Sequence, residues 1–124
     1  MEGEKIIEPI IVGGFTVRVE DASSALQYQQ LCGSWLGYRN LIQISTTYDK
    51  QTQAQTLVHE TLHAINAVYL ESREVDEATV AAMAQGWFQV IIDNPHLIKK
   101  IWSMAEAERE GNGVKDTEGV GEKD

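Results

Sequence analysis

The apolar residues of this chain change their spacing near residue 50, and that change restricts the fold more than any other feature. Before it, Phe15, Val17 and Val19 alternate with Thr16, Arg18 and Glu20, the period-2 pattern of a strand with one buried face. Residues 41–45 read as another strand, with Ile42 and Ile44 on one face. After it, Leu57, Val58, Leu62, Ile65 and Val68 recur at helical spacing over about 52–70, and about 73–93 is apolar nearly all round. Strands first and helices after predict an α+β fold: a small N-terminal antiparallel or mixed sheet followed by three helices.

Local signals fill in this outline. Gly13-Gly14 separates two β-rich arms, 5–12 and 15–20, and supplies the positive φ values of a two-residue hairpin turn. Pro9 removes a backbone donor from the first arm, which demotes it to an edge strand or shortens it. Residues 22–39 predict a short helix at 24–31, then a loop punctuated by Gly33 and Gly37. The 73–93 helix is expected to be the most buried element, with Trp87, Phe88 and Trp102 as core residues. Asn94-Pro95 reads as a stop and a start, Asn94 capping a third helix that reaches about Ala105.

A chain of 124 residues, 43% hydrophobic, supports one modest core. Nineteen acids against ten bases give a net charge of −9, which repels phosphate backbones; no nucleic-acid partner is expected. One cysteine, Cys32, excludes a disulfide framework and a Cys-rich zinc module. No apolar segment approaches the roughly 18 residues of a membrane helix, and no N-terminal export pattern is visible. The expectation is a cytoplasmic protein with no membrane partner. From Glu106 onward seven acids face three bases among four glycines, with Val114 and Val120 the only large apolar residues. This predicts a single domain over 1–106 and a disordered acidic, Gly-rich tail over 107–124.

The informative segment is His59-Glu60-Thr61-Leu62-His63. On a helix, residues four apart share one face about 5–6 Å from each other, so two imidazoles can reach one tetrahedral zinc. Glu60 stands about 100° round the helix from His59, close to such a metal without being aimed at it, and is placed to act as general base. This is the metalloprotease pattern His-Glu-x-x-His. Average composition produces that pattern by chance in about three chains per thousand of this length. Here it lies in a segment that independently reads as helix, and it holds two of the three histidines of the chain. A structural zinc site needs four protein ligands, usually Cys or His, which the chain is poorly supplied to give.

A third ligand must come from elsewhere. No His follows His63 at the spacing of the longer metzincin pattern, so that subclass is excluded. The next helix offers Glu77 and Asp76. Glu77 shares a stripe with Val80, Ala81, Ala84, Phe88 and Ile91, where an acid is costly unless paired or metal-bound, and it is the favoured ligand. Asp76, nearer the edge, is the alternative, or could orient an imidazole from outside the ligand set.

Residues 57–64, a short connector, Asp76-Glu77 and an Ala-rich helix ending Asp93-Asn94-Pro95 together resemble the small zincin-type metallopeptidases of phages and prophages, which are similar to the ImmA/IrrE-like minimal gluzincins. The resemblance spans about residues 10–100. It implies a minimal zincin-like fold, zinc held by His59, His63 and Glu77, Glu60 as general base, and the host cytoplasm as location if phage-encoded. It also implies that the strand before the motif helix, here 41–45, receives an extended substrate by strand addition.

The leading expectation is therefore a zinc-dependent peptidase of the gluzincin type, with zinc as cofactor and a peptide or protein substrate delivered directly or by an adaptor. The alternative is a non-catalytic zinc-binding regulatory or protein-interaction domain. Tyr38, Tyr48 and Tyr69 are unresolved candidates for stabilising a tetrahedral intermediate, His96 reads as a surface residue, and Cys32 as inert.

Overall fold

Gly13 and Gly14 take φ values of +57° and +87°, and with them the chain folds β1 (Lys5–Val12) back antiparallel onto β2 (Phe15–Asp21). Positive φ at both central positions matches the twist of the flanking strands, which is why Gly-Gly serves here. The structure, a computed structural model, describes residues 3–70 and 75–114. Contacts gather the chain into two compact units, Met1–Phe88 and Gln89–Asp124.

The first unit is built on a four-stranded sheet in the order β1-β2-β4-β3. After β2 come the short helix α1 (Ser23–Tyr28), β3 (Gly33–Leu36), a 3-10 turn over Gly37–Arg39 and β4 (Leu41–Ile44). β4 runs parallel to β2, pairing Arg18 with Leu41 and Asp21 with Ile44, and antiparallel to β3, pairing Gly33 with Ile44. The sheet is mixed, as expected, and β1 lies at one edge. Its register slips between Lys5 and Ile7 and again between Ile7 and Ile10, the second slip spanning Pro9.

Two expectations are corrected here. The Gly-punctuated segment after α1 contains a strand, β3; four residues are too few to display a period. β4 is a central strand with both edges paired, so it cannot accept a substrate strand. Among the described residues the free edges belong to β1 and β3.

Helix α2 (Lys50–Tyr69) starts at Asp49, whose carboxylate accepts the Thr52 N–H at 2.8 Å. That bond satisfies one of the orphan donors of the first turn, and the Thr52 hydroxyl first and this backbone bond second lower the Asp49 pKa. The core beneath α2 is Val12, Val17, Val19, Ile42 and Ile44 with Ala64, each large member worth about 1.5–3 kcal/mol relative to exposure. The buried stripe of α2 is Thr56, Glu60 and Ala64, while Leu57 and Val68 flank it only partly buried. Two of its three side chains, Thr56 and Ala64, are small, and the helix approaches the strands closely. A Cβ on Gly33 would stand 2.4 Å from Thr56 Cγ2, and one on Gly13 would stand 2.4 Å from Val68 Cγ1.

Helix α3 (Glu77–Asp93) begins at a cap, Asp76, whose carboxylate accepts the Thr79 N–H at 2.7 Å. The expected start near Arg73 lies outside the described residues. Val80, Ala84 and Phe88 form its buried stripe, but Met83 and Trp87 are exposed. α3 is therefore not the most buried element. That is β4, with Leu41, Ile42 and Ile44 all at 1% exposure or less. The apolar appearance of α3 comes both from alanines such as Ala78 and Ala82 and from large residues such as Met83, Trp87 and Ile92, all of which lie exposed.

The second unit holds the last turns of α3 and α4 (Pro95–Val114). The break at Asn94-Pro95 falls as expected. The Asn94 side chain, however, donates to the Val90 carbonyl at 3.0 Å and so closes α3, while its own carbonyl accepts the Leu97 N–H. Trp102 is exposed, against its expected place in the core. α4 continues past Ala105 because Ala-Glu-Ala-Glu-Arg-Glu holds good helix formers and no stop before Gly111. The remainder of the expected tail, 115–124, lies outside the described residues. No helix among the described residues is long and apolar enough to cross a membrane.

Candidate metal centre

His59 and His63 stand one turn apart on α2, their ring centroids separated by 5.0 Å and tilted by 51°. They flank the buried stripe and remain partly exposed. Glu77, the first residue of α3, meets both: Oε2 lies 2.7 Å from His59 Nε2 and Oε1 lies 2.9 Å from His63 Nε2. One carboxylate thus spans the two imidazoles from a separate helix. The reason expected for this, an inward-facing stripe, is only partly right. Glu77 sits at the open end of the Val80-Ala84-Phe88 stripe, and its side chain is 68% exposed.

The donor atoms of His59, His63 and Glu77 all lie within 4.8 Å of one another, and no further His, Cys, Asp or Glu joins them among the described residues. Two imidazole nitrogens and one carboxylate oxygen are the donor set of a catalytic zinc that keeps its fourth position open. Tetrahedral bonds of about 2.0–2.2 Å separate ligand atoms by about 3.3 Å, so a metal requires Glu77 to retreat by about half an ångström. Its exposure leaves room for that movement. The residues fit the ion.

Asp76 does not join them. Its carboxylate is held on Thr79 by a backbone hydrogen bond, which lowers its pKa. Of the two neighbouring acids, Glu77 reaches the histidines and Asp76 caps the helix.

Glu60 lies next to His59 in sequence but on the buried stripe, 7% exposed. Burial first, and then the negative charge of Glu77, push its carboxyl up to about 7. A group poised there can accept a proton and return it near neutral pH. A bound cation would offset the second cause and stabilise the carboxylate.

The remaining candidates stand apart. Tyr69 lines an apolar groove of about 420 Å³ between β1 and α2, together with Ile7, Ile11, Leu57 and Ile65. Tyr38 is exposed on the 3-10 turn. Tyr48 stands beside Cys32, whose charge and hydrogen bond raise the Tyr48 pKa. His96 is exposed on α4. One residue that bears on the site was missed: Gly33, which read as loop punctuation and is the point where β3 meets Thr56 and Glu60.

Comparison with known proteins gives no matching family model, no matching curated protein and no matching solved structure.

Proposed function

We propose that this chain is a zinc-dependent peptidase of the gluzincin type, similar to the minimal ImmA/IrrE-like enzymes. The observation that carries the reading is the meeting of Glu77 with both Nε2 atoms of the His59/His63 pair, 2.7 and 2.9 Å away, beside a buried Glu60. Zinc, when bound, supplies a Lewis acid that acidifies water and polarises a carbonyl. His59, His63 and Glu77 would hold it. Glu60 takes a proton from the attacking water as its oxygen bonds to the scissile carbonyl carbon. The same carboxyl then delivers a proton to the departing amine as the C–N bond breaks, which leaves Glu60 ionised again.

The substrate strand has a place at the outer edge of β3. Ser45 N–H donates to the Cys32 carbonyl, so the antiparallel alternation turns the amide groups of Gly33 and Trp35 away from β4. An extended peptide pairing there would run beside the helix that carries the motif.

The test is Glu60→Gln in protein loaded with one zinc per chain, assayed on a peptide library. Fold and zinc content should persist while cleavage falls by about 10²–10⁴-fold. Cleavage undiminished in the zinc-loaded variant would refute the mechanism. Stoichiometric zinc with no cleavage in wild type would favour the non-catalytic alternative.

A further inference from the structure

Gly33 faces Thr56 and Glu60, a buried small residue and the buried acid one turn apart on α2. An added methyl there would stand 2.4 Å from Thr56 Cγ2, 3.0 Å from the Gln43 carbonyl oxygen and 3.3 Å from Glu60 Cγ. The first distance demands that something shift. The last means that the Glu60 methylene already leans on the bare strand backbone. Thr56 and Glu60 are successive members of the buried stripe, so the strand supports the helix through these two side chains.

We infer that Gly33 is a positioning residue for Glu60: its missing side chain lets β3 seat the Glu60 methylene, and that seat fixes where the carboxylate stands relative to His59 and His63. Only the catalytic consequence rests on the peptidase reading; the seat itself is geometry. Two kinds of displacement can be told apart. If α2 moved as a body, Glu60, His59 and His63 would shift together against Glu77, which sits on α3. If the Glu60 side chain alone yields, the acid moves and the imidazoles stay.

Thr56→Ser removes the methyl group that makes the 2.4 Å contact and leaves the approach to Glu60 intact. Gly33→Ala in a Thr56→Ser background therefore leaves two close approaches, to Glu60 Cγ and to the Gln43 carbonyl oxygen, of which only the first bears on the acid. The experiment is side-chain NMR of the metal-free protein, full chain, for wild type, Thr56→Ser and the double variant. In wild type a Gly33 Hα to Glu60 Hγ cross-peak is expected, and its absence would overturn the inference without any variant. In the double variant the Glu60 Hγ and Cγ resonances should move while the His59 and His63 ring resonances stay in place. Unmoved Glu60 resonances, or movement of all three residues together, would overturn it. On zinc-loaded protein, cleavage in the double variant should fall by about 10²-fold at unchanged zinc affinity, the usual consequence of misplacing a catalytic group by about 1 Å. Cleavage equal to that of Thr56→Ser would overturn the inference alone. Wild type that cleaves nothing while Glu60 responds as expected in the NMR would sink the peptidase reading and leave the seat standing.

Discussion

His63 Nε2 and Glu77 Oε1 lie 2.9 Å apart, although fourteen residues separate them in sequence and they belong to different helices. In the absence of metal each end of that carboxylate is satisfied by an imidazole N–H. On the proposed function, metal uptake would be an exchange, in which both nitrogens give up their hydrogens and Glu77 backs away.

The exchange predicts a ligand hierarchy. His59→Ala, His63→Ala and Glu77→Ala should each weaken zinc by more than about 10²-fold, because even partners outside the ligand set are worth about 10–100-fold. Asp76→Asn should leave zinc affinity unchanged and lower the melting temperature, since it weakens a helix cap rather than a ligand. Competition against a chromophoric chelator and thermal unfolding check the two halves. If Asp76→Asn releases the metal and Glu77→Ala does not, the assignment is reversed.

Glu60 predicts a pH dependence with a definite sign. Below about 4.5 the carboxyl is protonated whether the chain is folded or not. Between that value and about 7 the folded protein keeps a proton that the unfolded chain has lost. Stability contributed by this group is therefore lost as pH rises through that window, by at most about 3 kcal/mol. Urea unfolding of metal-free protein at several pH values should show the decline in wild type and a flatter profile in Glu60→Gln. Parallel profiles would contradict it.

Gly13 is the second close approach to α2, and there it also has φ +57°. Gly13→Ala should cost about 2–4 kcal/mol, combining left-handed strain with the collision against Val68. Gly14→Asn, at a position with φ +87° and open space around it, should cost far less, because asparagine tolerates positive φ. Equilibrium denaturation distinguishes the two.

Within α3 the two adjacent aromatics should behave oppositely. Phe88→Ala removes a buried side chain and should cost about 3–5 kcal/mol. Trp87→Ala, 43% exposed, should cost about 1 kcal/mol or less. Equal losses in denaturant midpoint would mean that Trp87 is covered in solution.

These contrasts show what could be read from residue order alone. The hairpin at Gly13-Gly14 and the break at Asn94-Pro95 were legible because each depends on chemistry local to a few residues, whereas the approach of Glu77 to the histidines, between two helices, was legible from the spacing of the His pair and an acid on the next helix. The burial of α3 was not, because apolar residues all round the helix, Ala82, Met83, Trp87 and Ile92 among them, lie exposed, and residue type does not tell which face is covered. β3 was not, because Gly33–Leu36 is shorter than the window in which alternation shows. The central place of β4 was hidden for a different reason: it is set by pairing with β2, far away along the chain.

That pairing also orders the assembly of the molecule. β1–β2 and β3–β4 each close over a short connection, whereas α1, β3 and the 3-10 turn lie between Arg18 and Leu41 in the chain. Hairpins of this kind form in about 1–10 μs, and non-local parallel pairing is slower because loop entropy is spent before contacts repay it. The junction is closed where Thr46 donates to the Asp21 carboxylate at 3.1 Å and the Thr46 N–H donates to Ser23 Oγ. A chain stalled before this step would carry two finished hairpins with unpaired inner edges, able to join the wrong neighbour. Refolding yield should accordingly fall with protein concentration, and fall further when Thr46 is replaced by valine.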